Sequence, residues 1–371
     1  MNRNFTKRLL IIAGIIIIAV IIGMIFIRDE SVETDITAKT TKVGLVVAGS
    51  RNDSSFCQTN YSALKSIKDE LNLEIICREH IPENEACAAA MEELISEMGC
   101  EFIIGASYGY GEYIVETAEK HPEVCFLHTA GSEKLANLTS CFGRMYQARY
   151  LSGIVAGMRS GTGKIGYVAA FPYSEVIRGI NAFTLGVRSV APEAQVYVIY
   201  CNSWVDDGAA ETATLELLEK HPDIDVLSMH TNSLMPNNVA EIRGIWSVGY
   251  NMDNVRLFPV SYLTACELKW DTYYRQEILS FLQGKFHGDI EWLDMESGIV
   301  GLSELTPNAV PGTKEAVERV RELFASRSFD VFYGPVTDNN GVVRVPDGES
   351  MSDDEMMNRF DWYVEGVTVE E

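Results

Sequence analysis

From Lys42 onward the chain alternates short β-branched runs with amphipathic stretches, and this alternation limits the fold more than any other feature. The runs at 43–47, 74–77, 102–105 and 124–128 read as buried strands, with helical patterns near 61–71, 85–98 and 112–120 between them. Repeated βαβ units dictate a parallel sheet with right-handed crossovers. A helical stretch at 147–159 leads through Ser160-Gly161-Thr162-Gly163 into a second series. Its strands are expected at 165–170, 195–201, 226–230 and 246–249, and its helices near 175–190, 209–220 and 235–244. A further run at 260–266 precedes a long helix at 269–282. The length, 371 residues, exceeds what one core usually organises, so two α/β lobes facing a cleft are expected. Lobe 1 covers about 42–160 plus part of the segment after 267. Lobe 2 covers about 161–262 plus part of the C-terminal segment.

The N-terminus imposes a second constraint. Residues 9–27 are apolar and uncharged, preceded by Arg3, Lys7 and Arg8 and followed by Arg28, Asp29 and Glu30. That length and cationic flank predict a transmembrane helix, with residues 1–8 cytoplasmic, a polar linker at 28–41 and the domain at 42–371 outside the cell membrane. A cleaved secretory signal is the competing reading, but no Ala-x-Ala-like site follows the apolar run. The formal net charge of −23 argues against a nucleic acid partner, which needs clustered Lys and Arg. Eight cysteines lie without a CxxC pair or metal-like cluster, several of them in apolar strand patterns, and they read as buried thiols. No metal or cofactor is expected.

Open α/β sheets bind ligands at the carboxyl ends of their strands, and four such loops here carry residues suited to a flat, weakly charged ligand. They are Asn52-Asp53-Ser54-Ser55-Phe56-Cys57-Gln58, Ser107-Tyr108-Gly109-Tyr110-Gly111, Phe171-Pro172-Tyr173 and Asn202-Ser203-Trp204-Val205-Asp206. Aromatic rings can sandwich a base while Asn and Asp pair with its polar edge. His230 and Asn232 end one strand and Asn251 the next. The candidate ligand-binding set is therefore Asn52, Phe56, Gln58, Tyr108, Tyr110, Tyr146, Phe171, Tyr173, Trp204, Asp206, His230, Asn232, Asn251 and Trp270. Each has a plainer alternative: the aromatics can pack the core, Asn52 and Asp206 can cap helices, and His230 can be a satisfied structural group. No HExxH, Walker loop or nucleophile with a recognisable base partner is present in the sequence, so catalysis lacks a sequence argument.

The loop 52–58 resembles the Asp-x-Ser-Phe-Asn-Gln loop of the basic-membrane-protein-like solute receptors of ABC importers, with Cys57 in place of the asparagine. Ser297-Gly298-Ile299-Val300-Gly301-Leu302, the run from Val331 to Gly341 and the Phe360-x-Trp362-Tyr363-Val364-x-Gly366-Val367 segment resemble trailing segments of that family's Phe-Pro-containing branch. The resemblance implies a type I periplasmic-binding-protein fold, each lobe a three-layer α/β sandwich with a parallel sheet. It also implies a monomeric receptor that closes on a purine base or nucleoside and presents it to permease and ATPase subunits. A sensor of the same fold without transport is the alternative, and a nucleoside hydrolase is a weaker one. Lipoprotein members attach lipid to a cysteine just after the signal, whereas the first cysteine here is Cys57, which implies a protein tether. The nucleoside-binding branch resembles Gly-x-Asp-x-Asp where this chain has Gly249-Tyr250-Asn251, and Thr-Ser-x-x-Lys where the counted position is Leu268. Both departures favour a free base, adenine-like, over a nucleoside.

The anchor predicts that the mature protein retains residues before Leu9 and fractionates with membranes. N-terminal sequencing that begins near Arg28 or later would overturn it.

Overall fold

The computed structural model describes residues 39–370. The expected anchor at 9–27 lies outside the described residues, among which no helix is long and apolar enough to cross a membrane. The first sheet opens with β1 (Thr41–Val47), β2 (Leu73–Arg78), β3 (Phe102–Ala106), β4 (Cys125–Thr129) and β5 (Leu138–Gly143), laid side by side in the order 2-1-3-4-5. Every pairing is parallel, as βαβ crossovers through α1 (Phe56–Ile67), α2 (Glu85–Ser96) and α3 (Gly111–Lys120) require. Alternation along β1 serves both faces: Val43, Leu45 and Val47 pack with α1, while Val46 packs with α2 and α3.

The pattern then repeats. After α4 (Met145–Arg159) come β6 (Lys164–Ala169), α5 (Ser174–Val190), β7 (Gln195–Tyr200), α6 (Asp207–Lys220), β8 (Val226–His230), α7 (Met235–Arg243), β9 (Trp246–Asn251) and β10 (Tyr262–Leu268). The second sheet has the order 7-6-8-9-10, again parallel. The chain returns to the first lobe through α8 (Asp271–Leu282), which packs on α1, and β11 (Ile290–Leu293), which pairs with β5. It crosses once more to β12 (Val300–Leu302), antiparallel to β10. In the second lobe α9 (Thr313–Ala325) lies on α4, β13 (Val336–Thr337) pairs with β14 (Val343–Val345), α10 (Asp353–Asn358) packs on α5 and β15 (Val367–Val369) pairs with β7. Residues 338–341 form the turn of that hairpin, with the Asp338 carboxylate accepting from the Asn340 and Val342 amides and from Arg344 Nε.

Helix α4, which the boundary expected near 160 assigns to lobe 1, packs on α5 and β10. One expectation is corrected. The helix expected from 269 starts at Asp271, so the second crossing is the short Lys269–Trp270 link. Strand β5 has no strong apolar alternation, since Thr139 and Ser140 sit in its middle, yet both are buried. Their hydroxyls donate to the carbonyls of His287 and Glu133, which offsets the desolvation. All eight cysteines are free thiols, six of them buried.

Helices α4 and α5 make the most extensive helix–helix contact among the described residues. A Cβ added at Gly153 would lie 2.1 Å from the Phe183 carbonyl oxygen, and one at Gly186 would lie 2.0 Å from that of Tyr150. These glycines let the two backbones touch and fix the crossing helix to the second lobe. In an ordinary helix interior, alanine is about 1 kcal/mol better than glycine. At Gly186 the sign should reverse: Gly186→Ala is expected to destabilise by about 1–3 kcal/mol through overpacking. Thermal or urea unfolding of the variant checks it, and an unchanged or raised midpoint would contradict the close contact.

Candidate ligand-binding cleft

The carboxyl ends of both sheets open onto one crevice between the lobes, where a small cavity of about 30 Å³ is found. Phe56 after β1, Ser107 and Tyr108 after β3, Ala130 after β4 and Phe142 at the end of β5 line it from the first lobe. Glu175 at the start of α5, Trp204 after β7, Asn232 after β8 and Tyr250 in β9 line it from the second. Loop backbones here are set by local capping: Asp53 accepts from the amides of Ser55, Cys57 and Gln58, and Glu83 accepts from Ser107 Oγ and the Gly109 amide. Ala130 and Asn251 both take positive φ, 71° and 70°, a strained choice for residues with a Cβ.

The one carboxylate lining the cavity is Glu175, in the first turn of α5, where the helix dipole favours negative charge. Pro172 holds the preceding backbone extended and so places this helix start directly after β6. Glu175 Oε1 accepts from His230 Nε2 at 3.0 Å, and the other ring nitrogen of His230 packs against Gly179, where it has no protein partner. Burial pushes the His230 imidazole down to about 4, so it is neutral near pH 7 and Nε2 carries the proton. Burial works to raise the Glu175 carboxyl, but the hydrogen bond from His230 and the nearby guanidinium groups of Arg178 and Arg149 hold the group below its ordinary value, hence ionised. Arg149 is fully buried, lies 4.0 Å over the Tyr250 ring and donates to the Met229 carbonyl, which fixes Tyr250 as a cavity wall.

Of the candidate residues, Phe56, Tyr108, Trp204 and Asn232 line the cavity. Asn251 lies just behind: it is buried, and its Nδ2 donates to Ser55 Oγ of the first lobe and to Asn232 Oδ1. His230 backs Glu175, and buried Trp270 packs edge-on against Phe56 and tilted against Phe142. Phe171 and Tyr173 do not line the cavity; they form a stack with Tyr108, ring centroids 5.1 Å apart at each step, that bridges the two lobes. The remaining candidates fall elsewhere for identifiable reasons. Asn52 is exposed, Gln58 Oε1 accepts from the Ser54 amide, and Asp206 caps α6 through the Ala209 amide. Tyr110 is buried in the first lobe with its hydroxyl on the Ile81 carbonyl, and Tyr146 packs on Trp292 and Phe332.

Ser107, Ala130, Phe142, Glu175 and Tyr250 were absent from the candidate set. Phe142 depends on β5, whose polar middle hid the strand. Glu175 did have a signal, an acid in the first turn of the helix that follows Phe171-Pro172-Tyr173. Of the two departures at the sugar site, Leu268 is buried, and Lys269 is more than half exposed with its ammonium 3.3 Å from Glu267.

The profile of the Bmp family, described as ABC transporter substrate-binding protein PnrA-like, matches residues 40–331. A purine-binding protein of Brucella abortus is 30% identical over 328 residues, 88% of this chain and 92% of that protein. A putative ABC transporter glucose-binding protein of Haloferax volcanii is 32% identical over 287 residues, 76% of this chain and 70% of its own length. Among solved structures, an ABC transporter solute-binding protein of Aeropyrum pernix superposes with a TM-score of 0.68 at 17% identity, covering 86% of this chain and 95% of its own. Two parallel-sheet lobes, a cavity between their strand ends and these matches lead to one conclusion: the chain belongs to the Bmp family of PnrA-like ABC transporter substrate-binding proteins.

Proposed function

We propose that this protein is the extracytoplasmic receptor of an ABC importer, tethered by residues 9–27, and that its lobes close on a purine nucleobase. The observation that carries this reading is the lining of the interlobe cavity: five aromatic rings, Phe56, Tyr108, Phe142, Trp204 and Tyr250, with only Ser107, Glu175 and Asn232 as polar side chains. A flat heteroaromatic ligand suits such walls, because stacking rewards its faces while a few polar groups read its edge. A hexose, the ligand named for the Haloferax relative, has hydroxyls around its whole rim and needs polar partners on most sides. The purine named for the Brucella relative accords with this lining.

A free base is favoured over a nucleoside by the two departures. Asn251 spends its amide hydrogens on Ser55 and Asn232, and Lys269 pairs with Glu267, which leaves no ionic or carboxylate partner at those positions for a ribose. Closure then follows from contacts with both lobes at once, which shift the population toward the closed form presented to the permease.

Calorimetry with adenine, guanine, hypoxanthine, adenosine, guanosine and glucose tests the assignment. At least one free base should bind at least as tightly as its nucleoside, with glucose giving no heat. Clear preference for a nucleoside or for glucose, or silence with every purine, would overturn the reading. Trp204 provides a second test, since base–aromatic stacking contributes about 1–3 kcal/mol per ring. Trp204→Ala should weaken base binding by roughly fivefold to a hundredfold while leaving the apo melting temperature nearly unchanged. A sharp fall in melting temperature with affinity retained would assign the ring to packing.

A further inference from the structure

The polar atoms facing the cavity are unequal in kind. Glu175, with 11% of its side chain exposed, has Oε1 engaged by His230 and offers an acceptor only. Trp204 Nε1 is a buried donor without a protein partner. Asn232 has its Oδ1 engaged by Asn251, while no protein acceptor among the described residues takes its amide hydrogens. Ser107 donates its hydroxyl to Glu83. The residues lining the cleft thus carry unpartnered N–H donors on Trp204 and Asn232 and one anionic acceptor on Glu175, and a ligand that complements them is rich in acceptors with one N–H beside them.

Resting on the nucleobase reading, we propose that Glu175 is the specificity-determining residue of the cleft and that its carboxylate selects a 6-oxopurine base, the hypoxanthine class, over adenine. A 6-oxopurine carries a ring N1–H next to the O6 carbonyl. The N1–H donates to Glu175 while O6 and N7 accept from the Asn232 amide and the Trp204 indole. Adenine reverses this edge: its N1 is a lone pair, which repels a carboxylate, and its amino group brings hydrogens where the site already has donors. A buried donor or anion left unpaired is what makes such a mismatch costly. His230 acts as a positioning residue, since its Nε2–H fixes the carboxylate plane from behind the cavity.

The test is titration calorimetry of the protein with hypoxanthine and with adenine, for the wild type, Glu175→Gln and Glu175→Asp. The wild type should prefer hypoxanthine by at least about tenfold. Glu175→Gln, whose amide can both donate and accept, should bring the two affinities to near equality, chiefly through lost hypoxanthine binding. Glu175→Asp keeps the charge and should keep the preference with both affinities lowered, so the role stays testable even where the glutamine variant fails to fold. A wild type that binds adenine equally or more tightly overturns the proposal. So does an unchanged ratio in Glu175→Gln with purine binding retained, which would spare the nucleobase reading; no binding of either base by the wild type overturns the proposal, and silence with guanine as well overturns the nucleobase reading too.

Discussion

The structure depends on one geometric constraint, that two parallel sheets turn their strand carboxyl ends toward each other. Parallel βαβ units place every strand-to-helix loop on the same edge of a sheet, and the order 2-1-3-4-5 leaves a crevice where successive crossovers diverge to opposite faces. Joining two such units by three short crossings, at Gly143–Met145, Lys269–Trp270 and residues 294–299, leaves the loops of both lobes one shared space. Helix α4 is the rigid part of this joint, pinned to α5 by the glycine contacts at 153 and 186. In a hinge closure such short links are where the backbone rotation would fall.

What holds the lobes across the cleft is modest. The Tyr108–Tyr173 stack, the Asn251 to Ser55 hydrogen bond at 2.8 Å and the Asn254 to Ser54 carbonyl bond at 2.9 Å join loops of opposite lobes. Each is worth about 0.5–1.5 kcal/mol, so their sum is roughly 1.5–4.5 kcal/mol before the entropy of closure is counted. Moving an equilibrium from mostly open to mostly closed takes about 5.5 kcal/mol of differential binding. On the proposed reading, a base touching Phe56 and Phe142 on one side and Trp204, Asn232 and Glu175 on the other would supply the decisive share, because those contacts would exist together only when the lobes meet.

The sequence made the alternation of strands and helices legible because buried parallel strands are short apolar runs and their crossovers are amphipathic. It hid β5, whose Thr139 and Ser140 look like a loop until their carbonyl partners are known. Three of the four strand-end loops contribute residues to the cavity lining, whereas other members of the same loops face elsewhere. Phe171 and Tyr173 are cleft residues in sequence position but interlobe stacking residues in space, and Asp206 is a helix cap. Strand-end position is a property of local sequence, whereas facing the cavity depends on side-chain direction and on the opposite lobe. For the same reason the place of Glu175 in the first turn of α5 does not by itself tell from the sequence that it lines the cavity.

The central claim is that a small ligand bound between the lobes closes them. Small-angle X-ray scattering of the protein, with and without a saturating purine base that calorimetry shows to bind, measures this directly. The account predicts a smaller radius of gyration in the liganded sample and a loss of the broader distances in the pair distribution. Binding with no change in either quantity, in a protein whose ligand-free form is no more compact than the complex, would contradict it.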